Sequence, residues 1–115
     1  MVRVFLIGAG RGCQLVLGHL MPIPSVRILG VADNDPKAVA LKMAQVAGLP
    51  VFLTDPIDIL KTLDVDMVFD LTGDPKIGSA LLQLSKDRFE VATGQVTRLF
   101  INTLIEAAEK NQLLK

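Results

Sequence analysis

The sequence predicts an α/β fold, a single doubly wound parallel sheet of five strands in the order 3-2-1-4-5 with a C-terminal helix. Three observations predict it. Short apolar runs alternate with stretches of helical spacing along the chain. A glycine-rich segment directly follows the first of these runs. The length of 115 residues fits one compact domain.

Composition supports a folded domain and excludes several classes of partner. Hydrophobic residues make up 50% of the chain, which is enough for a core. The 12 basic and 12 acidic residues form no blocks, so we expect no nucleic-acid surface and no membrane-binding patch. The single cysteine, Cys13, excludes an internal disulfide and a cysteine-based metal cage. The chain opens on a strand pattern rather than a signal-peptide pattern, so we expect a cytoplasmic location.

Apolar spacing, together with glycine and proline positions, predicts the individual elements. Short segments made up mainly of apolar residues predict buried parallel strands at residues 2–7, 26–32, 51–53, 67–71 and 89–92. Apolar residues three and four apart predict the buried helix faces, which are Cys13, Val16, Leu17 and Leu20; Val39, Met43, Val46 and Ala47; Ile57, Leu60 and Leu63; and Ile77, Ala80, Leu81 and Leu84. Right-handed crossovers between such strands place a ligand at the switch point between strands one and four.

The dipeptide Asp-Pro marks three predicted junctions between a strand and a helix. It begins at Asp35, Asp55 and Asp74. An aspartate side chain accepts hydrogen bonds from the free amide groups at a helix start. Proline has no amide hydrogen, but the first helical position has no partner for one within the helix, so nothing is lost there. We therefore interpret all three aspartates as helix caps.

The last part of the chain, residues 96–115, predicts a long helix. Its apolar seam consists of Val96, Leu99, Phe100, Thr103, Leu104, Ala107 and Ala108. Two interpretations stay open. The helix either covers the sheet, or it leaves the domain and pairs with a second copy of the chain.

The glycine-rich segment predicts a phosphate-binding loop of Rossmann type. Its residues are Gly8, Ala9, Gly10, Arg11, Gly12 and Cys13. The first glycine permits the tight turn, the second lets the backbone approach a diphosphate, and free amides at the helix start hold the charge. Cys13 stands where a third glycine is usual, and it is small enough for close helix–strand packing. We expect a dinucleotide-binding domain at 1–95, followed by the helix at 96–115.

Asp33 strengthens this prediction because it ends the second strand. An acidic side chain there accepts hydrogen bonds from the adenosine ribose hydroxyls and repels a 2′-phosphate. The residue favours NAD over NADP as the cofactor. Asn34 and Lys37 lie close enough to weaken that preference. A helix cap is the less attractive role for Asp33, because Asp35 already fills it.

The segment after strand four is a third candidate part of the site. Leu71, Thr72 and Gly73 follow the strand next to the glycine loop, and could present a hydroxyl and backbone groups to the nicotinamide-side ribose. Asp70 is unusual, because a carboxylate in an apolar strand must be paired or near an edge. It either accepts hydrogen bonds from loop amides and shapes the site, or lies at the solvent-exposed end of the sheet.

The remaining reactive side chains have structural interpretations. Cys13 could sense redox state at a helix start, but burial against the sheet is favoured. His19 lies away from the apolar stripe of the first helix and is interpreted as a surface residue. Gln95, Thr97 and Arg98 follow the last strand and could approach a ligand. No catalytic residue and no metal ligand can be named.

Residues 4–13, 30–37 and 68–73 together resemble the nucleotide-binding half of homoserine dehydrogenase and glucose–fructose oxidoreductase type enzymes. Those enzymes continue into a second domain that supplies substrate contacts and a catalytic lysine or histidine. The sequence resembles more closely the modules found alone or at the N-terminus in bacterial signalling proteins, including sensor histidine kinases. The resemblance rests on a glycine loop ending in cysteine, a Leu-Thr-Gly turn and an exit helix. It implies a dinucleotide partner, a homodimer through the C-terminal helix and a downstream signalling domain.

Three functions are compatible with these observations. The first is a non-catalytic NAD(H)-binding regulatory or sensory module, because a cofactor cleft is predicted but no proton donor. The alternative is the nucleotide-binding half of an NAD(P)-dependent oxidoreductase whose substrate domain is absent from this chain. A third is a domain that has kept the fold only for oligomerisation.

Overall fold

The computed structural model describes residues 1–113, with side chains described through Lys110. The strands are β1 (Val2–Ile7), β2 (Val26–Ala32), β3 (Val51–Phe52), β4 (Met67–Asp70) and β5 (Glu90–Ala92). The helices are α1 (Arg11–Leu20), α2 (Val39–Val46), α3 (Pro56–Leu60), α4 (Pro75–Ser85) and α5 (Gln95–Leu113). All strands pair in parallel in the order β3-β2-β1-β4-β5. The predicted fold class and strand order are confirmed.

The central strand β1 divides the core into two layers. Val4 and Leu6 face the layer covered by α1, α2 and α5. Phe5 and Ile7 face the opposite layer, which is covered by α3 and α4. Because helices cover both faces, a central strand needs apolar residues at its covered positions, and this explains the apolar run from Val4 to Ile7.

The structure confirms two of the three predicted aspartate caps. Asp55 accepts a hydrogen bond from the amide of Ile57, and Asp74 accepts one from the amide of Lys76, at the starts of α3 and α4. The prediction for Asp35 is wrong. Its carboxylate accepts from the amide of Lys37 at 3.0 Å, which closes a turn, and α2 begins only at Val39.

The predicted inner face of α2 needs correction, because Met43 is its one residue that packs against the core and Ala47 is exposed. Val39 and Val46 are 47% and 83% exposed, whereas Ala40, Leu41 and Ala44 are buried. The amide of Ala40 donates to the carbonyl oxygen of Ala9 at 2.9 Å, which fixes the first turn of α2 against the glycine loop. That bond turns the small alanines towards the core, where α2 packs on its neighbours.

The predicted faces of the other helices agree with the structure, apart from one boundary. All of Cys13, Val16, Leu17 and Leu20 are buried on α1. Leu81 is buried on α4, with Ile77 and Leu84 packed beside it in the second core layer. Leu63 packs in the same layer but lies beyond the end of α3. Strands β3 and β4 end one residue earlier than predicted, and β5 begins one residue later.

Helix α5 packs on the α1 side of the sheet, and its predicted seam needs correction. Thr97 and Leu104 are buried, and Phe100 and Ile101 pack against the first core layer. Val96 and Leu99 were expected in the seam but are 65% and 69% exposed. Thr103, Ala107 and Ala108 are exposed as well.

The reason for this rotation is a close approach between two helices. A Cβ atom on Gly12 of α1 would lie 2.7 Å from Cδ1 of Ile101, so α5 is turned with Ile101 inward. Leu114 and Lys115, included in the predicted helix, lie outside the described residues. No helix within residues 1–113 has both the length and the apolar character that a membrane span requires.

An ion pair joins β1 to the start of β4, at the end of the sheet away from the glycine loop. The backbone amide and the Nε of Arg3 donate to Asp66 Oδ2 at 2.8 and 3.0 Å. Nη2 of Arg3 donates to the other carboxylate oxygen at 3.0 Å. These bonds from Arg3 lower the pKa of Asp66 to about 2.

Replacing Asp66 therefore changes how stability depends on acid. Because the folded pKa of Asp66 is depressed, its contribution is present above pH 4 and is lost as pH falls towards about 2. We expect Asp66→Asn to lower stability at neutral pH and to flatten the decline between pH 4 and 2, measured by urea unfolding across that range. Asp58→Asn is the matched control, since the Asp58–Lys61 pair is exposed at both ends. Equal acid profiles for wild type and Asp66→Asn would contradict the role of the ion pair.

Candidate functional site

The loops that follow β1 and β4 touch each other at the carboxyl end of the sheet. Gly8 has a φ of +92°, in the left-handed region that favours glycine. A Cβ atom there would lie 2.9 Å from the amide nitrogen of Thr72 and 3.0 Å from the carbonyl carbon of Leu71. Only glycine therefore allows the glycine loop and the loop at 71–74 to meet.

The backbone amides of the glycine loop divide into two groups. The amide of Gly8 donates to the carbonyl oxygen of Ala32, and the amide of Ala9 donates to Asp33 Oδ2 at 2.7 Å. The amides of residues 10–13 have no hydrogen-bond partner among residues 1–113. They lie at the start of α1, where the helix dipole adds a partial positive charge. This end of α1 can bind an anion.

Asp33 links the glycine loop to the end of β2. Besides the bond from Ala9, its Oδ1 accepts from the amide of Asp35 at 2.8 Å. An ionised carboxylate has about four acceptor positions, so two bonds leave acceptor capacity for a ligand. Asp33 is half-buried, and it lines a cavity.

The first of two cavities at this end of the sheet lies between the loops after β1, β2, β3 and β4. Its volume is about 790 Å³, within the range of cofactor sites. The lining residues are Ile7, Gly8, Gly10, Ala32, Asp33, Asn34, Leu53, Thr54, Asp55, Pro56, Leu71, Thr72, Asp74 and Ile77.

The second cavity lies beyond the loop at 71–74, between the ends of β4 and β5 and the start of α5. Its volume is about 390 Å³. The lining residues are Asp70, Leu71, Gly73, Asp74, Pro75, Thr93, Gly94, Gln95, Thr97, Arg98, Ile101 and Asn102. Leu71 and Asp74 line both cavities, so the loop at 71–74 forms a wall between the two spaces.

Asp70 fixes the loop that separates the cavities. It is 2% exposed, and its Oδ1 accepts from the amide and the hydroxyl of Thr72 at 3.1 and 2.7 Å. Its Oδ2 accepts from the hydroxyl of Thr93 at 2.6 Å. Of the two interpretations of Asp70, the one in which it bonds loop amides is confirmed.

The structure distributes the predicted binding residues over three places. Gly8, Gly10, Asp33, Asn34, Leu71 and Thr72 line the first cavity. Gly73 lines the second. Ala9, Arg11, Gly12 and Cys13 line neither, so any role of theirs in binding would come from backbone atoms near the helix start.

Cys13 and His19 have the structural roles that the sequence favours. Cys13 is fully buried, and burial, with a smaller effect of the charge on Asp33, raises the pKa of its thiol to about 12. A thiol with so high a pKa is a poor nucleophile. His19 is exposed, with its Nδ1 3.1 Å from the carbonyl oxygen of Leu15.

Several cavity residues were not predicted. Leu53, Thr54 and Asp55 follow β3, and Thr93 and Gly94 follow β5. Their positions after strand ends indicate them, because ligands of open α/β sheets bind outside the carboxyl ends of the strands. Applying that rule to β3 and β5 as well as to β1, β2 and β4 would have found them.

Comparison with known proteins identifies relatives of the fold. No protein-family model and no curated protein matches the sequence. Saccharopine dehydrogenase from Saccharomyces cerevisiae is 19% identical, with a TM-score of 0.65 over 85% of this chain and 23% of its own. The WlbA dehydrogenase from Bordetella pertussis, in complex with NADH and UDP-GlcNAcA, is 19% identical, with a TM-score of 0.62 over 94% of this chain and 35% of its own. A myo-inositol dehydrogenase from Corynebacterium glutamicum is 21% identical, with a TM-score of 0.57 over 72% and 26%.

These likenesses establish a Rossmann-like fold. The chain spans between 23% and 35% of the length of these dehydrogenases. All three are dehydrogenases by name, which agrees with the predicted resemblance to oxidoreductases. None of the three is a signalling protein, so the likeness to sensor histidine kinase modules gains no support from them.

Proposed function

We propose that this chain is the nicotinamide dinucleotide-binding half of an NAD(P)-dependent oxidoreductase. The observation that supports it most is the first cavity, lined by Gly10 and Asp33 at the unpartnered amides of residues 10–13, with a second cavity across the loop at 71–74. A dinucleotide has two nucleoside ends joined by an anionic diphosphate, and the site offers two neighbouring spaces and an anion-binding helix start. The named dehydrogenases with this fold support the same function.

The residues of the chain suggest how the ligand would be held. The amides of residues 10–13 would bind the diphosphate, and Asp33 would accept hydrogen bonds from the adenosine ribose in the first cavity. The nicotinamide end would lie in the second cavity, where it would supply hydride-transfer chemistry. The carboxylate of Asp33 favours NAD over NADP, while Lys37 lies close enough in sequence to soften that preference.

Calorimetric titration of the purified chain with NAD⁺, NADH, NADP⁺ and NADPH tests the proposal. We expect one saturable site with a preference for NAD⁺ and NADH. A failure of all four ligands to give saturable heat would leave only the oligomerisation role and overturn the proposal.

A non-catalytic regulatory module is the second candidate, and the second cavity favours it. No lysine, histidine, cysteine or tyrosine is found among the residues that line that cavity. Both of its carboxylates already accept hydrogen bonds, Asp70 from two threonine hydroxyls and Asp74 from the amide of Lys76. These bonds give both carboxylates a structural role, in holding the loop at 71–74 and the start of α4.

The placement of α5 also favours the regulatory module. Because α5 lies on the same side of the sheet as α1, a further parallel strand added directly beside β5 would need a left-handed crossover, which is rare.

The exposed Val96 and Leu99 would remain free for a second copy of the chain, or for a downstream signalling domain, in the cytoplasm. Occupancy of the second cavity, which Thr97, Arg98 and Ile101 line, could then alter the packing of α5.

Amide hydrogen exchange distinguishes the two candidates. A regulatory module predicts that NADH changes protection along residues 95–110 as well as around the glycine loop. Protection confined to the glycine loop and to residues 71–74 would count against the regulatory function and leave the oxidoreductase half as the better account.

A further inference from the structure

The hydroxyl group of Thr93 has a fixed orientation at the edge of the second cavity. Thr93 is half-buried and lines that cavity. Its Oγ1 donates a hydrogen bond to Asp70 Oδ2 at 2.6 Å. A threonine hydroxyl has one hydrogen and two acceptor lone pairs. Since its hydrogen is directed to Asp70, the oxygen can offer only lone pairs to a ligand.

The surroundings of Asp70 keep this arrangement in place. The other carboxylate oxygen accepts two bonds from Thr72, so the carboxylate is held on both sides. The hydroxyl of Thr72 also accepts from the amide of Asp74 at 3.1 Å, and is therefore satisfied within the loop. The oxygen of Thr93, in contrast, accepts no hydrogen bond from any residue in the range 1–113.

Helix α4 supports the pair from behind. A Cβ atom on Gly78 would lie 2.9 Å from Oγ1 of Thr93 and 3.5 Å from Oδ2 of Asp70. The absence of a side chain at this position makes the room in which the Thr93–Asp70 bond forms. A larger residue would press on the hydroxyl from the helix side.

We infer that Thr93, oriented by Asp70, makes the second cavity selective for the carboxamide of nicotinamide over the carboxylate of nicotinic acid. This inference rests on the proposed dinucleotide function. A carboxamide NH₂ group can donate a hydrogen bond to the free lone pair of the Thr93 oxygen. A carboxylate has only acceptor atoms, so it would place one acceptor against another with no hydrogen between them. The carboxylates of Asp70 and Asp74 also outnumber the single guanidinium, of Arg98, around this cavity. Their net charge disfavours a second anion there.

The test compares two dinucleotides that differ only in this group. The purified chain is titrated with NAD⁺ and with nicotinic acid adenine dinucleotide. We expect wild type to bind NAD⁺ at least about tenfold more tightly than nicotinic acid adenine dinucleotide. NAD⁺ gains one desolvated hydrogen bond and leaves no acceptor unpaired. Thr93→Val should weaken NAD⁺ binding and lower the affinity ratio, leaving only the part that the carboxylates of Asp70 and Asp74 contribute. Thr93→Ser, which restores the hydroxyl, should recover most of the ratio.

Two further variants make the result specific. Thr62→Val is the same chemical change at an exposed threonine that lines neither cavity, and it should leave the ratio unchanged. Gly78→Ala should lower the ratio by displacing the hydroxyl from the helix side, and it serves in place of Thr93→Val if that variant does not fold.

The possible failures can be told apart. Equal affinity of wild type for the two ligands would overturn the selectivity and leave dinucleotide binding intact. An affinity ratio that is unchanged in both Thr93→Val and Gly78→Ala would do the same. Lack of binding to either ligand would overturn the proposed function, and the selectivity with it.

Discussion

Gly8→Ala is expected to lower the free energy of unfolding by about 2–5 kcal/mol. A side chain at φ +92° costs about 1–2 kcal/mol, because the left-handed region is strained for residues with a Cβ atom. The new methyl group would also meet the backbone of Thr72 at 2.9 Å, and forced overpacking costs about 1–3 kcal/mol more. Backbone atoms cannot move aside as the end of a flexible side chain can. Urea unfolding of both proteins measures the difference.

Gly48→Ala is the matched control for this prediction. Gly48 also has a positive φ, +77°, but a Cβ atom there would have no neighbour within 4 Å. We expect it to show only the conformational part, about 1–2 kcal/mol. If the two variants lost the same stability, the contact between the glycine loop and the loop at 71–74 would not be tight, and the shape of the proposed site would be wrong.

Asp33→Ala is expected to weaken NAD⁺ binding about tenfold to a hundredfold, and NADP⁺ binding by less. Hydrogen bonds to a charged group contribute about 1.5–3 kcal/mol, and the alanine loses those to the ribose. The variant also frees the amide of Ala9, which weakens the loop for both ligands alike. Removing the negative charge, however, relieves repulsion of a 2′-phosphate only for NADP⁺. The diagnostic quantity is therefore the ratio of the two affinities, measured by calorimetry.

Asp35→Ala controls for the loss of an aspartate from the same turn. Its carboxylate is exposed, caps the turn at Lys37 and lines neither cavity. The NAD⁺ to NADP⁺ ratio should stay at its wild-type value in this variant. Equal losses of NAD⁺ and NADP⁺ affinity in Asp33→Ala would show that Asp33 acts only through the glycine loop and makes no ribose contact.

The features predictable from the sequence are those set by burial and by local backbone chemistry. The apolar run from Val4 to Ile7 in β1 predicted a strand covered on both faces, and the two aspartates that precede α3 and α4 predicted helix starts. The strand order followed from the alternation of elements and the handedness of crossovers. Gly8 and Asp33 were found because each has a fixed place relative to a strand end.

The features that escaped prediction depend on contacts between distant segments. The rotation of α2 is set by a bond from Ala40 to Ala9, and the rotation of α5 by the approach of Ile101 to Gly12. Both α2 and α5 carry apolar residues on more than one face, so periodicity alone could not choose the inner one. The bond between Asp70 and Thr93 joins residues 23 positions apart and left no local signal at either.

The wall that the two cavities share at Leu71 and Asp74 has a consequence for affinity under the proposed dinucleotide function. A ligand that fills both spaces behaves as two weak fragments joined by a short tether. Under the proposed function, once the adenosine half bound, the nicotinamide half would be presented to the second cavity at a high effective concentration, of millimolar order. Each mononucleotide fragment alone would then bind with low affinity. The intact dinucleotide would gain the avidity of both without any contact that the fragments do not already make.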